Sequence, residues 1–198
     1  MTPATVLTIG HSNHSLEGFV GLLRRHGVTA CADVRSSPWS RRVPHFNREI
    51  FQAALKQHGI AYLFLGRELG GRPSDPACYE EGRVRYTKVA QTEPFEAGLE
   101  QVLRAARSDR VALVCAERDP LSCHRTLLVS RELEARGIAV SHIHADGELE
   151  TQGEAMLRLL AQLGVVEPDL FRTREQIIEE ACAVQEGRIA YSGGPPSR

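Results

Sequence analysis

The chain has 198 residues, 42% of them hydrophobic and 25% charged, with 5 cysteines and a net charge of -1. This composition fits one soluble globular domain, with or without a short appendage, that buries roughly 70% of its unfolded surface and needs no staples. It excludes collagen-like, disordered and small disulfide-scaffold classes, a membrane span of ~18 apolar residues, and the global basic field that announces nucleic acid.

The N-terminus enters a strand-like run at once, with no basic segment followed by an apolar one. No secretory signal is read there, and a cytoplasmic protein is expected. Val6-Leu7-Thr8-Ile9-Gly10 reads as a buried strand, short, apolar and ended by glycine. Ser15 is placed to cap a helix whose inner face is Leu16, Phe19, Val20 and Leu23, closed by Gly27. Thr29 to Val34 is a second strand, and Arg35 to Asn47 a polar loop with Pro38 and Pro44. Asn47 is placed to cap a helix carrying Ile50, Phe51, Ala54 and Leu55; Ile60 to Leu65 is a third strand. Arg72 to Gln91 reads as loop with one short helix at most. Thr92 caps a helix through Arg107, and Val111 to Cys115 is the most strand-like run of the chain. Asp119-Pro120 starts a helix to Gly137, Ala139 to His144 is a fifth strand, and Gln152 to Leu163 a further helix.

This alternation predicts right-handed crossovers and a Rossmann-like, three-layer α/β domain with a mostly parallel five-stranded sheet over residues 6–164. Residues 165–191 read as a C-terminal helical arm, beginning with the linker Val165-Val166-Glu167-Pro168. It packs either on the domain or on a second subunit, so a homodimer is one expectation. Residues 192–198 read as a disordered tail.

In open parallel sheets, ligands bind beyond the carboxyl ends of the strands. All five predicted strands deliver polar loops to that edge: His11-Ser12-Asn13-His14, Asp33-Val34-Arg35-Ser36-Ser37, Gly66-Arg67-Glu68-Leu69-Gly70-Gly71, Cys115-Ala116-Glu117-Arg118-Asp119 and His142-Ile143-His144-Ala145-Asp146. A ligand pocket is expected there.

The segment from Cys115 to Arg125 is the richest in chemistry. Read as a strand crossing into a helix, it puts Cys123 in the first turn, where free N–H groups stabilise a thiolate or an anion. Three readings stand side by side. Cys123 is a thiol with His124 or Glu117 as acid or base. Or Cys115, Cys123 and His124, with His11 or His144, bind a metal such as zinc or iron, although the spacing matches no zinc-ribbon pattern. Or both cysteines are core residues and Arg125 is a structural ion-pair partner. Cys31 reads as core, and Cys78 and Cys182 as incidental.

Asp33 and Arg35 alternate about Val34 and share a face. They are either a structural pair or a carboxylate and a cation for a substrate. Only Lys56 and Lys88 are lysines among the 24 basic residues, so arginine dominates. Genomic base composition explains that bias, as does planar recognition of phosphate. The loop from Ser36 to Phe46 mixes Arg41 and Arg42 with Trp39, His45 and Phe46, a pattern that serves either phosphates and stacked bases or a plain surface loop. Arg35, Arg48, Arg67 and Arg72 extend that basic patch. The dinucleotide fingerprint, the Walker A loop, the Gly-x-Ser-x-Gly elbow and His-Glu-x-x-His are all missing.

Thr8-Ile9-Gly10-His11-Ser12, Asp33-Val34-Arg35 with Pro38, His45-Phe46-Asn47, Leu69-Gly70-Gly71 and Cys115-x-Glu117-x-x-Pro120-x-x-Cys123-His124-Arg125 together resemble the domain of unknown function 488 (DUF488) family. The resemblance runs from about Val6 to about Leu163; Leu170-Phe171-Arg172 and Ile189-Ala190-Tyr191 in the tail share it. It implies a small Rossmann-like domain with no settled reaction, among relatives whose suggested roles lean toward nucleic-acid processing. It marks His11, Ser12, Asp33, Arg35, Glu117, Cys123, His124 and Arg125 as the site.

The combined expectation is an acid–base or thiol-assisted enzyme on a phosphate-bearing substrate, a nucleotide or nucleic acid. Asp33, Glu117, Cys123 and His11 are the catalytic candidates. Ser12, Arg35, Arg41, Arg42, His124 and Arg125 are the binding candidates. The alternatives are a metalloprotein using Cys115, Cys123 and His124, and a non-catalytic nucleic-acid-binding module.

Overall fold

The computed structural model describes residues 5–165 and 171–195. Its strands are β1 (Thr5–Gly10), β2 (Ala30–Asp33), β3 (Ala61–Phe64), β4 (Tyr79–Glu80), β5 (Arg83–Val84), β6 (Val111–Cys115), β7 (Ala139–Ile143) and β8 (Leu149–Thr151). Its α-helices are α1 (Leu16–Arg25), α2 (Arg48–Gln57), α3 (Tyr86–Val89), α4 (Glu93–Ala105), α5 (Arg131–Ala135), α6 (Gln152–Gln162) and α7 (Arg174–Ile189). None of the described helices is long and apolar enough to cross a membrane.

One sheet runs in the order β3-β2-β6-β1-β7-β8, and β4 and β5 pair separately as a small hairpin. The five predicted strands are all present and parallel. A sixth, β8, adds antiparallel to β7 with Ser141 opposite Thr151. Three residues carry no readable period, which is why β8 escapes a sequence reading.

Helices cover both faces, because parallel strands bury both. Leu7, Ile9, Cys31, Ala112, Val114 and Ile143 pack on one side with Phe19 and Leu23 of α1 and Phe51 and Leu55 of α2. Val6, Ala30, Ala32, Val111, Leu113 and Val140 pack on the other with residues of α4, α5, α6 and α7. Alternate residues of each strand thus feed the two halves of the core.

Local capping follows the sequence at Ser15, whose side chain accepts from Gly18 N–H, and at Thr92, which accepts from Phe95 N–H. Asn47 departs from it: its Oδ1 accepts from Ser40 N–H at 2.6 Å and leaves α2 without a side-chain cap. The predicted continuous helix from Pro120 to Gly137 is also broken. A 3-10 turn, Pro120–Ser122, is capped by Asp119, and the chain then extends at Cys123 (φ -139, ψ 141). Helix resumes as a π-helical stretch, Arg125–Ser130, that continues into α5.

The arm folds back on its own domain. Ile177, Ala181 and Cys182 of α7 join the core beside Met156 and Leu160, and Gln185 Nε2 donates to Leu121 O at 2.9 Å. The tail is held further than its composition suggests. Val84 N–H donates to Tyr191 O, Ser192 bridges Arg83, and Gly193 and Gly194 N–H groups donate to Gly82 O. The reading of 192–198 as a disordered tail is therefore corrected up to Gly194. Most of the predicted linker (166–168), Leu170 and the last residues (196–198) lie outside the described residues.

Candidate functional site

Because β6 lies between β1 and β2, the loops after these three strands meet at one place on the carboxyl edge. Backbone bonds continue the sheet into the loops: His11 N–H to Cys115 O at 2.8 Å, Ser12 N–H to Ala116 O at 2.9 Å and Val34 N–H to Val114 O at 3.1 Å. Gly10 permits this approach. A Cβ there would lie 1.7 Å from Glu117 O and 2.9 Å from Arg125 Nη1. Ser12 follows in the left-handed region at φ 44, a strained conformation of the kind found at sites.

Arg125 supports the loop from within. It is fully buried, and its Nη1 and Nη2 donate to Glu117 O at 2.7 Å and Arg118 O at 3.3 Å. It does not line the cavity described below, which corrects the expectation that it grips a bound anion. Its backbone N–H donates to Cys123 Sγ at 3.4 Å. Cys123 therefore sits before the resumed helix, with its sulfur at the Arg125 N–H and its carbonyl accepting from Thr126 and Leu127, although it is not inside a first turn.

Glu117 Oε2 lies 3.1 Å from the sulfur of Cys115 and 3.1 Å from that of Cys123. His124 Nδ1 stands 3.9 and 3.8 Å from the same sulfurs. Its Nε2 is 3.2 Å from Val34 O and can only donate there, so a neutral ring carries its proton on Nε2 with the Nδ1 lone pair toward the sulfurs, and a charged ring points Nδ1–H at them. The cluster is strongly polarised. The hydrogen bond with Cys123, together with burial, pushes the Cys115 thiol well up. Burial also opposes ionisation of Cys123, but the hydrogen bond with Cys115 and the charges of Arg125 and His124 outweigh it and hold that thiol well down. Burial, reinforced by the Cys123 charge, raises Glu117. Burial works against protonation of His124, yet the Cys123 thiolate beside it moves the imidazole up. His11 is lowered to about 4 by burial and by Arg35, and its ring stacks on Phe46 at 4.4 Å.

Asp33 and Arg35 form a buried two-point pair, Nε to Oδ1 at 2.8 Å and Nη2 to Oδ2 at 2.6 Å. Tyr62 Oη donates to Asp33 Oδ2 at 2.7 Å, and Arg35 Nη1 donates to Phe46 O at 2.9 Å. Asp33 is fully buried with both oxygens engaged. The structural pair weighed in the sequence reading is what forms, with both Asp33 oxygens turned to Arg35 and Tyr62.

These groups floor a cavity of about 600 Å³ lined by His11, Arg35, Cys115, Glu117, Cys123 and His124, with Ser36, Ser37, Trp39, Ser40, Arg72 and Tyr86 around them and Ile189 to Ser192 across it. Ser12, Arg41 and Arg42 lie outside the lining. Arg41 packs over Trp39 at 5.7 Å, and Arg42 is exposed. Of the three expected stacking residues only Trp39 reaches the cavity. Phe46 is buried against Phe19 and Phe51, and His45 Nε2 bonds His14 O at 2.9 Å. Neither His11 nor His144 joins the metal-type donor group, which among the described residues is Cys115, Cys123 and His124; His144 pairs with Glu150 at 2.9 Å. Sequence reasoning missed Tyr86, which no motif marks, and the wall from Ile189 to Ser192, for which the tail resemblance was the available signal.

Among known structures, a crystal structure from Shewanella putrefaciens CN-32, described as a putative phosphatase (DUF442), is similar over 93% of this chain and 89% of its own, with 11% identity and a TM-score of 0.40. No curated protein in the comparison matches the chain. The family described as domain of unknown function DUF488 matches residues 15–131, more than half of the sequence, and the chain belongs to that family.

Proposed function

We propose that this domain is an enzyme whose substrate carries a phosphate, as a nucleotide or a nucleic-acid end, and binds in the cavity at the carboxyl edge of the sheet. The observation that carries the reading is Arg35. Three of its five N–H groups are fixed by Asp33 and Phe46 O, which leaves two for a ligand on a guanidinium already held in place. Arg72 adds a second positive charge that forms no ion pair among the described residues, stacked 4.6 Å from the Tyr191 ring. Ser36, Ser37, Ser40, Ser122 and Ser192 bring hydroxyl donors, and Trp39 and Tyr191 bring ring faces for a base. Glu117, beside the two sulfurs on the floor, is the group that gives or takes a proton.

Calorimetric titration with inorganic phosphate, a mononucleotide, the matching nucleoside and a short single strand tests this. The nucleotide is expected to bind saturably, and the nucleoside at least about tenfold more weakly, a difference of about 1.4 kcal/mol. Arg72→Ala weakens both phosphate-bearing ligands. Arg41→Ala with Arg42→Ala, outside the cavity, weakens only the single strand and makes its binding less sensitive to salt. Absence of saturable binding by every phosphate compound sinks the reading.

A further inference from the structure

We infer that Cys115 Sγ, Cys123 Sγ and His124 Nδ1 bind one zinc-class divalent ion on the floor of the cavity, with Glu117 at its open side. The three donor atoms lie within 4.8 Å of one another. A tetrahedral ion with metal–sulfur bonds of ~2.3 Å and a metal–nitrogen bond of ~2.0 Å separates sulfur from nitrogen by about 3.5 Å. The separations here, 3.9 and 3.8 Å, are close to that value.

A second observation points the same way. The His124 Nε2–H bond to Val34 O is the outer-shell arrangement that fixes a ligating imidazole, since it sets the tautomer and aims the other nitrogen's lone pair at the metal. The Arg125 N–H bond to Cys123 Sγ supplies the matching support for a thiolate ligand. Two thiolates neutralise a divalent ion, and two cysteines with one histidine leave a fourth position for water in a catalytic site. Glu117 Oε2, 3.1 Å from each sulfur, stands next to that position. In that place its carboxylate takes one proton from the bound water, and the hydroxide stays on the ion. Cys31, Cys78 and Cys182 contribute nothing, being buried elsewhere in the fold.

The test is titration of the full, reduced chain with cobalt(II), followed by competition with zinc. One equivalent of cobalt is expected to produce thiolate charge-transfer absorption and the visible bands of a tetrahedral ion, and zinc to bleach both. Cys123→Ser and His124→Gln abolish or strongly alter the spectrum, while Cys78→Ser and Cys182→Ser leave it unchanged. Because the site variants could misfold, X-ray absorption on the zinc-loaded wild-type chain gives a second readout, with two sulfur and one nitrogen donor expected. Absence of charge transfer, its persistence in Cys123→Ser, or a zinc shell lacking sulfur overturns the inference. It does not rest on the phosphate reading. Cobalt binding without any phosphate ligand would fell that reading and leave the metal site standing, and the reverse result would do the opposite.

Discussion

Asp33 holds Arg35 through both carboxylate oxygens while neither side chain is appreciably exposed. The two residues sit at the end of β2, where the sheet meets the cavity. The aspartate compensates a buried charge, and the arginine presents that charge to the cavity. Asp33→Asn keeps the shape and removes the compensation. It is expected to lower unfolding stability by about 3 kcal/mol, because a stranded buried charge is the expensive part of a broken pair. Denaturant unfolding measures it. A loss below about 1 kcal/mol, the range of exposed pairs, would show that the pair is solvated.

Two glycine-to-alanine changes separate close approach from chain freedom. At Gly10 a methyl group meets the Glu117 carbonyl at 1.7 Å, so β1 and the loop after β6 must part. Gly10→Ala is expected to destabilise by at least about 2 kcal/mol, the range of overpacked cores, and to remove ligand binding in the cavity. At Gly21, inside α1, an added Cβ meets nothing within 4 Å. Gly21→Ala is expected to stabilise by about 0.5–1 kcal/mol, because alanine is the better helix former and stiffens the unfolded chain. Thermal melts of the pair, with calorimetry for binding, check both signs.

The parallel core was legible because its signals are local. Val111 to Cys115 is a short apolar run, Ser15 and Thr92 are caps, and each predicted strand of the sheet ends in polar residues. The meeting of Cys115, Glu117, Cys123 and His124 was half legible. Their spacing put them in one segment, but only the break at Cys123 turns the sulfur toward the cavity floor. The Asp33–Arg35 pair was legible as one of two alternatives, but the further bond that Asp33 Oδ2 accepts was not, since it comes from Tyr62, which lies on β3 and is 29 positions away. The placement of Tyr86 and Tyr191 at the site was beyond reach for the same reason, although the tail resemblance marked Tyr191. They meet the site only through the packing of α3 and the hairpin bonds of the tail, which carry no periodic signature.

Tyr191 closes the cavity from the tail, and its ring packs against the Arg72 guanidinium at 4.6 Å. Its carbonyl accepts the Val84 N–H, a backbone bond that survives a side-chain change. Tyr191→Ala is therefore expected to lower stability by only about 1 kcal/mol, the typical effect of a single change. Nucleotide affinity is expected to fall by about 1–3 kcal/mol, the worth of one stacked base. Inorganic phosphate, which has no base, keeps its affinity. If both ligands weaken equally, Tyr191 only shapes the wall and does not stack on a base.

His142 makes stability depend on pH from outside the cavity lining. It is fully buried in β7; Thr8 Oγ1 lies 2.8 Å from Nδ1 and Gln152 Oε1 lies 2.8 Å from Nε2. Gln152 Nε2 donates to Thr126 O, which orients its Oε1 as an acceptor. The ring therefore carries its proton on Nε2 and accepts at Nδ1, a fully satisfied neutral imidazole. Burial, helped by the Arg125 charge, lowers its pKa to about 4. The unfolded chain binds this proton near pH 6.5 and the folded chain near 4, so between those values the unfolded state holds more protons. Stability is full above about pH 6.5 and falls as the pH drops toward 4, by about 3 kcal/mol for this one group. Melting profiles from pH 7.5 to 4.5 are expected to decline in the wild type and to decline less steeply in His142→Gln, where His11, likewise lowered to about 4, still titrates. An equal slope in both proteins would assign the acid sensitivity to other groups.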